Sequence, residues 1–482
     1  MTKPRIRVNG ATGLPVKASS YDAATQGRRG KGWIAPSSGP NASLTGSLAT
    51  LRNRSRAAYR NNPLISMGLN RAISNEIGTG VVPRFLSSDD NFNNAMAAAF
   101  DLWSEQCDSE KTLNYYGIQT QACRARRVSG ECFIRLRRRS LTSDLAIPMQ
   151  LQVLESDFVP EAYHATLANG NQIKSGIEYN RFGQRVAYWM YPEHPHELTS
   201  DVYSGRLLRI PANDVIHHYQ PTRPGQSRGE PDTVQSLLKA HTFDVYDDAE
   251  LLRKQTKAPY TGFLTRDSYD EQDYLFDPFT GESIEGGGAV PELNVQAGSI
   301  LTGLPGEKLD LFQGDDTGAG YSDFMKEQKL GIAAGIGLPY ELMTGDWSAI
   351  NDRLYRAMIN EYRREVEALQ DQITIYQCCR RIVDWSINVA VTSQVVVADN
   401  YQVQKSDYHK VEHRPQGWQH IHPEQDVNAA LKAIKGGLKS RDRVVASTGG
   451  WDAADVDRQN VEAEKRLKEL REKAGLKTDQ EK

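Results

Sequence analysis

The sequence has no run of apolar residues approaching the roughly 18 to 20 that a membrane-spanning helix needs. Met1 opens a stretch of Thr, Lys, Pro and Arg rather than a secretory leader. The expectation is a protein without a membrane segment. Cysteine is scarce: Cys107, Cys123, Cys132, Cys378 and Cys379 show no paired zinc-ligand spacing and leave one odd. That excludes a disulfide framework and predicts reduced, buried thiols in a protein assembled in the cytosol. No Walker A sequence, dinucleotide glycine fingerprint or HExxH pair is present, so neither nucleotide hydrolysis nor zincin chemistry is expected. Hydrophobic residues are only 39% of the chain and the mean hydropathy is -0.58, at the polar end for a globular protein. Net charge is small too, at -3, although it hides patterning. Lys3, Arg5, Arg7, Lys17, Arg28, Arg29 and Lys31 face only Asp22 across the first 48 residues. Residues 1–45 therefore read as a disordered basic arm. A near-neutral whole argues against a protein that coats nucleic acid, but not against one that lets it slide past.

What is present is organised as α+β. At 482 residues the chain exceeds one comfortable core and should divide into two or more domains. Leu64, Met67, Ile73 and Ile77 keep helical spacing after Pro63, and 94–103 and 119–127 read as further helices. Cys132–Arg137 and Met149–Leu154 alternate like half-buried strands, and 176–190 reads as two strands about a turn at 180–183. Residues 207–210 and 214–219 extend the β content. A helix over 233–258 places acids early and Arg253, Lys254 and Lys257 late, as the helix dipole favours. The most informative stretch lies between Tyr321 and Val391. A helix runs to Leu338, where Pro339 should stop it. A loop follows, and from the N-cap candidate Asn351 a second helix of about 40 residues, roughly 60 Å long, begins. A helix that long needs something large packed around it. Helices over 424–435 and 456–473 close the chain.

Motifs with chemical meaning are few, and each has a plain structural reading. Gly225-Gln-Ser-Arg-Gly229 spells the G-x-S-x-G nucleophile elbow, which would make Ser227 a hydrolase nucleophile. Pro221, Pro224 and Pro231 around it break the strand–turn–helix context the elbow requires, so a surface loop is the favoured reading. His409, His413, His420 and His422 cluster within 409–422 and offer a zinc-hydrolase alternative. Pro415, Gly417 and Pro423 interrupt any helix there, which favours solvated histidines. His217 and His218 adjoin on a strand and should face opposite ways. Arg135–Arg139 could meet phosphate or end a solvated strand. Gly331 and Gly335 suit close helix packing. Lys326 and Lys329 share one helical face away from Phe324, either solvated or lining something negative.

A set of short stretches carries a family resemblance. In order they are Arg60-Asn-Asn-Pro63, Asn75-Glu-Ile-Gly-Thr-Gly80, Gly130-Glu131, Gly176-Ile-Glu178 with Gly183 and Val186-Ala-Tyr188, Asn213-Asp-Val-Ile-His217, Arg223-Pro-Gly-Gln-Ser-Arg-Gly229, Asp248-Ala-Glu-Leu251, Leu304-Pro-Gly-Glu307 and Ile332 to Glu341 followed by Leu342 and Thr344-Gly-Asp346. Each is weak alone; as an ordered set the chain resembles the lambda-like branch of tailed-bacteriophage portal proteins. One departure is Gln419-His-Ile-His-Pro423, where an acidic residue would be expected before the proline.

The resemblance implies a portal fold with wing, two-helix stem, clip, tunnel loop and α-helical crown, assembled as a ring, usually of twelve subunits. The wing would be 46–232, the first stem helix 233–258, the clip 259–312 and the second stem segment 313–338. The tunnel loop would be 339–351, the long helix and return through the wing 352–413, and the crown 414–482. It implies a virion protein at one capsid vertex, assembled in the host cytoplasm, through which double-stranded DNA is packaged and ejected. Implied partners are further copies of the chain, the terminase large subunit, the major capsid protein and scaffold, and a head-completion or connector protein. No cofactor, metal or catalytic residue is implied. Glu341, Thr344, Gly345, Asp346, Trp347 and Ser348 would face the channel, with Lys326 and Lys329 as stem candidates. Tyr269, Asp270, Glu271 and Tyr274 would dock the terminase.

Overall fold

The computed structural model describes residues 31–32, 35–197, 206–257, 262–266, 307–311, 321–418, 421–449 and 452–473. Most of the basic arm and most of 259–312, with Tyr269, Asp270, Glu271 and Tyr274, lie outside the described residues. After the single turn α1 (Pro40–Leu44), α2 (Leu48–Asn61) and α3 (Pro63–Ile77) meet at Asn62, whose side chain accepts from the Ile65 amide at 2.8 Å. That cap and Pro63 in the first turn satisfy or remove amides that would otherwise lack partners. α4 (Asp90–Ser104) is capped by Asp89 and α5 (Tyr115–Ser129) by Asn114, which accepts from Gly117 at 2.9 Å. These helices cover a large core that includes Phe92, Phe100, Trp103, Tyr115, Ile134 and Ile382.

The strands are antiparallel throughout the described sheets. β1 (Val82–Phe85) pairs with a strand more than 300 residues later in the chain, described below. β2 (Glu131–Arg138) is the centre of a three-stranded sheet, and β3 (Met149–Glu155) is one neighbour. β4 (Ala165–Thr166), β5 (Gln172–Lys174), β6 (Ile177–Tyr179), β7 (Arg185–Met190) and β8 (Leu208–Pro211) form a meander in chain order. β9 (Val215–Tyr219) returns to the other side of β2, with Phe133 opposite His217. Phe133, Leu154 and Val215 from one sheet pack on Ile177, Tyr188 and Ile210 from the other. Strand alternation along β9 sends His217 toward this interface and His218 away from it, as the period of two demands.

Below the sheets, α6 (Leu237–Lys257) and α7 (Tyr321–Ile336) run antiparallel, joined side by side by Tyr246 on Phe324 at one end and Ser236 on Ile332 at the other. A Cβ at Gly335 would lie 2.2 Å from Ser236 Oγ, and one at Gly331 would lie 2.0 Å from Lys239 Nζ. The glycine pair thus permits the close helix contact its spacing suggested. β10 (Gly262–Arg266) and β11 (Glu307–Leu311) pair where the chain leaves and re-enters this helix pair. The first helix begins at Leu237 rather than 233, because residues 233–236 form turns in which the Thr233 carbonyl accepts from Ser236 and Leu237. The second ends at Ile336 rather than Leu338, because Gly337 adopts φ +79 and leaves the helix first.

A short helix, α8 (Tyr340–Thr344), follows Pro339, and Asn351 then caps the long helix by accepting from Leu354 at 2.9 Å. That helix runs as α9 (Asp352–Leu369), a π-helical stretch (Gln370–Cys379) and α10 (Arg380–Thr392), of 18, 10 and 13 residues. The expected length is present, but its middle is wound more widely. α11 (Lys405–Tyr408) leads to β12 (Val411–Arg414), which pairs with β1, Val82 opposite Arg414. The C-terminal helices are α12 (Pro423–Lys435), α13 (Arg441–Gly449), which the sequence reading had not separated, and α14 (Ala453–Lys473). They are tied to the body by Trp418 Nε1 donating to Glu367 at 2.8 Å and by Arg84 on Asp452 at 2.6 Å.

Candidate functional site

Residues 339–351, expected as an open loop, form a compact tip instead. Leu342 and Met343 are buried in the core shared by α3, α6, α7 and α9, so α8 is seated on α3 and is not a free flap. Gly345 ends that turn in the left-handed region at φ +72, which favours glycine there. The Thr344 hydroxyl donates to the Tyr340 carbonyl at 2.9 Å and accepts from the Asp346 amide at 3.3 Å. Asp346 in turn accepts from the Ser348 hydroxyl at 2.6 Å and amide at 3.1 Å, and from the Tyr340 hydroxyl at 3.3 Å. The Ser348 bonds come first among the causes that hold its carboxyl below the usual carboxylate range. Glu341 is half-buried on the same turn.

Trp347 is 41% exposed, with its ring edge-on to Tyr355 at 5.6 Å. The sequence reading favoured a neighbouring subunit as the anchor for this tryptophan; within the subunit the anchor is the first turn of α9. Lys326 is drawn to the same tip, its ammonium 5.6 Å from the Tyr340 ring centre. Lys329 lies further along α7, half-buried. The structure therefore gathers Lys326 with Tyr340, Asp346 and Ser348, a mixed-charge cluster at the head of the helix pair.

What holds this tip against the sheets is a pair of buried charge networks that motif reading missed. Glu76, fully buried on α3, accepts from Arg126 and Arg127 at 2.6 Å each and from the Thr374 hydroxyl at 2.5 Å. Gln370 donates to the Glu76 carbonyl at 2.7 Å, so the π-helical stretch is bonded twice to one residue of α3. Burial alone would raise the Glu76 carboxyl; the two guanidiniums and the threonine hold it far below the usual range. Glu131, at the start of β2, accepts from Arg228 Nε at 2.7 Å, the Gly229 amide at 2.9 Å and His217 at 2.9 Å, with Arg52 at 3.4 Å. Gly130 just before it adopts φ +89, and a Cβ there would lie 2.7 Å from the Gly229 carbonyl oxygen. A local signal did exist: Glu76 falls on the same helical stripe as Leu69, Ala72 and Ile73.

The two hydrolase alternatives do not assemble. Ser227 is buried, not on a surface loop as expected, and its hydroxyl and amide both donate to Asn41 Oδ1 at 2.8 Å. No strand runs into it and no helix leaves it. The reason for its burial is its neighbour Arg228, whose guanidinium is claimed by Glu131 and by the carbonyls of Val159, Ser175 and Ser156. The histidines scatter and are not simply solvated. His409 lies between Asp384 at 2.6 Å and the Tyr401 hydroxyl at 2.8 Å, His422 bonds Asp352 at 2.9 Å, and His413 is largely buried. His420 lies outside the described residues. Among the described residues, the one group spaced for a metal ion is Glu155, Asp157 and His194. Arg56 already meets both carboxylates there, at 2.8 and 2.5 Å. In the Arg135–Arg139 run, Arg138 pairs with Asp214 at 2.8 Å, and Arg137 and Arg139 bond Gln152 and Gln150.

The buried histidines carry a pH signature. Burial lowers His217 to about 4 despite Glu131, His218 to about 3, and His413 to about 4. The unfolded chain protonates near 6.5, whereas the folded chain resists until about 4, so the unfolded state binds more protons between those values. Stability is therefore expected to fall as pH drops through that window, by up to about 1.4 kcal/mol per pH unit for each such histidine. Urea midpoints at pH 7 and pH 5 check this; equal midpoints would contradict the buried, neutral state.

Comparison with known proteins places these features. A family model described as phage portal protein, lambda family, matches residues 26–370. The "Probable portal protein" of Halomonas phage phiHAP-1 is 24% identical over 472 residues, covering 95% of this chain and 88% of that protein. The portal protein of Escherichia phage N15 is 23% identical over 308 residues, and portal protein B of Escherichia phage lambda 21% over 317. The matches to these two cover 60% of this chain and only 58% and 57% of their lengths. Among solved structures, a chain of the "Neck of native GTA particle computed with C12 symmetry" superposes with a TM-score of 0.50 at 14% identity, covering 84% of this chain and 94% of that one, and so shares its fold. With a family match spanning both sheets, the helix pair, the tip and the start of the long helix, the chain belongs to the lambda family of phage portal proteins.

Proposed function

We propose that copies of this chain close into a ring at one vertex of a phage capsid and that double-stranded DNA passes through its centre during packaging and ejection. The observation that carries this reading is the family match over 26–370, which takes in every element from the wing through the tip to α9. The geometry supports it. α6 carries Leu238, Val245 and Leu252 at seven-residue intervals, exposed by 76%, 55% and 62%, on the side away from α7. An apolar stripe of that kind needs a cover, and a rotationally repeated neighbour supplies one. On this reading 233–258 and 321–338 are the stem and 339–351 the channel tip. The mixed charge of the tip suits conduction: carboxylates repeated around a ring repel phosphate, while Lys326 tempers that field, so DNA slides without the tight binding a basic lining produces. Terminase, capsid and connector proteins are the partners this role requires.

Native mass spectrometry of the purified chain should show a closed ring, twelvefold on the family precedent; monomer alone at micromolar concentration and moderate salt would count against the reading. Trp347→Ala tests the tip. The ring contact between Trp347 and Tyr355 is worth roughly 0.5–1.5 kcal/mol beyond area burial, so its loss should loosen the tip without unfolding the subunit. Particles carrying the variant should assemble and yet retain packaged DNA less well. Retention equal to the parent chain would remove the tip from the channel.

A further inference from the structure

We propose that the cleft between the head of the stem and the long helix is a socket for a guanidinium or ammonium side chain from a second copy of this chain. The inference rests on the ring reading above and gives that ring a specific polar contact. The cleft has a volume of about 420 Å³, and Glu230, Asp232, Gly335, Tyr362, Glu365 and Val366 are among the residues lining it. Its charges do not balance. Asp232 is met by Arg127 at 2.7 Å, but Arg127 is shared with Glu76. Glu230 accepts only a neutral hydroxyl, that of Thr222, at 2.7 Å, and Glu365 is exposed with no ion pair among the described residues. Two carboxylates are thus left without a cation.

Tyr362 supplies the second sign of a missing occupant. It is only 6% exposed, yet its hydroxyl has no hydrogen-bond partner among the described residues. Buried polar groups are seldom left unpaired, because the lost hydration is not returned. Burial pushes the phenol up to about 12, so it stays neutral, and its oxygen can accept from a cationic donor. The opposite wall is Gly335, Ile336 and Gly337, and a Cβ at Gly337 would meet nothing within 4 Å, so an incoming side chain has room.

The donor belongs to a second copy because the cleft is continuous with the stripe that needs covering. Val234 and Gln235 line the cleft, and Leu238, the first residue of the exposed α6 stripe, follows within one turn. A surface that covers Leu238, Val245 and Leu252 therefore ends at the socket, and a free small cation would leave that stripe bare. An arginine or lysine at the edge of such a neighbour would place its charge between Glu230 and Glu365, in a site shielded enough for charge pairing to count.

The test is assembly of the full chain. Glu230→Lys combined with Glu365→Lys should raise the concentration for half-assembly at least about tenfold, read by mass photometry or native mass spectrometry. Glu365→Gln and Tyr362→Phe should give smaller shifts in the same direction, with subunit melting unchanged. Assembly of the double variant equal to that of the parent chain would overturn the inference, as would normal assembly with loss of binding to a different head or tail protein. A parent chain that never forms rings would instead overturn the reading on which the inference rests.

Discussion

Glu76→Gln is expected to destabilise the subunit by roughly 3–5 kcal/mol, the scale for breaking a buried ion pair by removing one partner. The carboxylate neutralises Arg126 and Arg127 from a position with no solvent to share the load. Glutamine keeps the shape and the Thr374 contact but leaves Arg126 with no charged partner and Arg127 with Asp232 alone. Thr374→Val, which removes one hydrogen bond to the same carboxylate, should cost closer to about 1–3 kcal/mol. Urea denaturation of both variants gives the comparison. A Glu76→Gln midpoint indistinguishable from that of the parent chain would mean the arginines find water or other partners. The consequence reaches function because the same carboxylate ties α3 to the π-helical stretch, and α3 also seats the tip through Met343 and Leu342. Loss of the network should therefore reduce ring yield along with stability.

Arg228→Ala should be as severe, at roughly 3–5 kcal/mol, while its neighbour Ser227→Ala should cost only about 1 kcal/mol. Removing the guanidinium strips Glu131 of its main partner and leaves the carbonyls of Val159, Ser175 and Ser156 facing a void. Removing the serine hydroxyl loses a single bond to Asn41, which keeps the bond from the Ser227 amide. The order of the two effects separates a structural G-x-S-x-G from a catalytic one. A nucleophilic serine would tolerate alanine in the fold and lose labelling by a fluorophosphonate probe. The parent chain is expected to take no label at Ser227, and labelling abolished by Ser227→Ala would restore the hydrolase reading.

Local chemistry was legible wherever its cause was local. Asn62, Asn114 and Asn351 stand before helices and cap them, because a short side chain can reach an amide three residues on. The alternation in 132–137 and 149–154 produced strands, and Gly331 with Gly335 produced a close helix contact. The end of α7 was misplaced by two residues because Gly337 left the helix before Pro339 could stop it. The tip was read as an open loop because nothing local announces that Leu342 and Met343 fall into a core built by α3 and α9. Among the charged networks, Glu76 on an apolar helical stripe was the one visible clue, and its meaning required knowing what faced it.

By itself, then, the sequence determined the α+β class, the helix pair, the long helix and its cap, and the ordered motifs by which the chain is a portal protein of the lambda family. Those properties depend on periodicity, capping and order along one chain. Only the tertiary structure decided that Ser227 is buried beside an arginine that holds two sheets together, that the histidines of 409–422 have separate partners, and that Trp347 rests on Tyr355. It also decided that Glu76 meets Thr374, 298 positions away, and that β1 pairs with β12. The physical reason is common to all of them. Burial, charge pairing and desolvation belong to the space between segments, and that space exists only once distant parts of the chain have packed together.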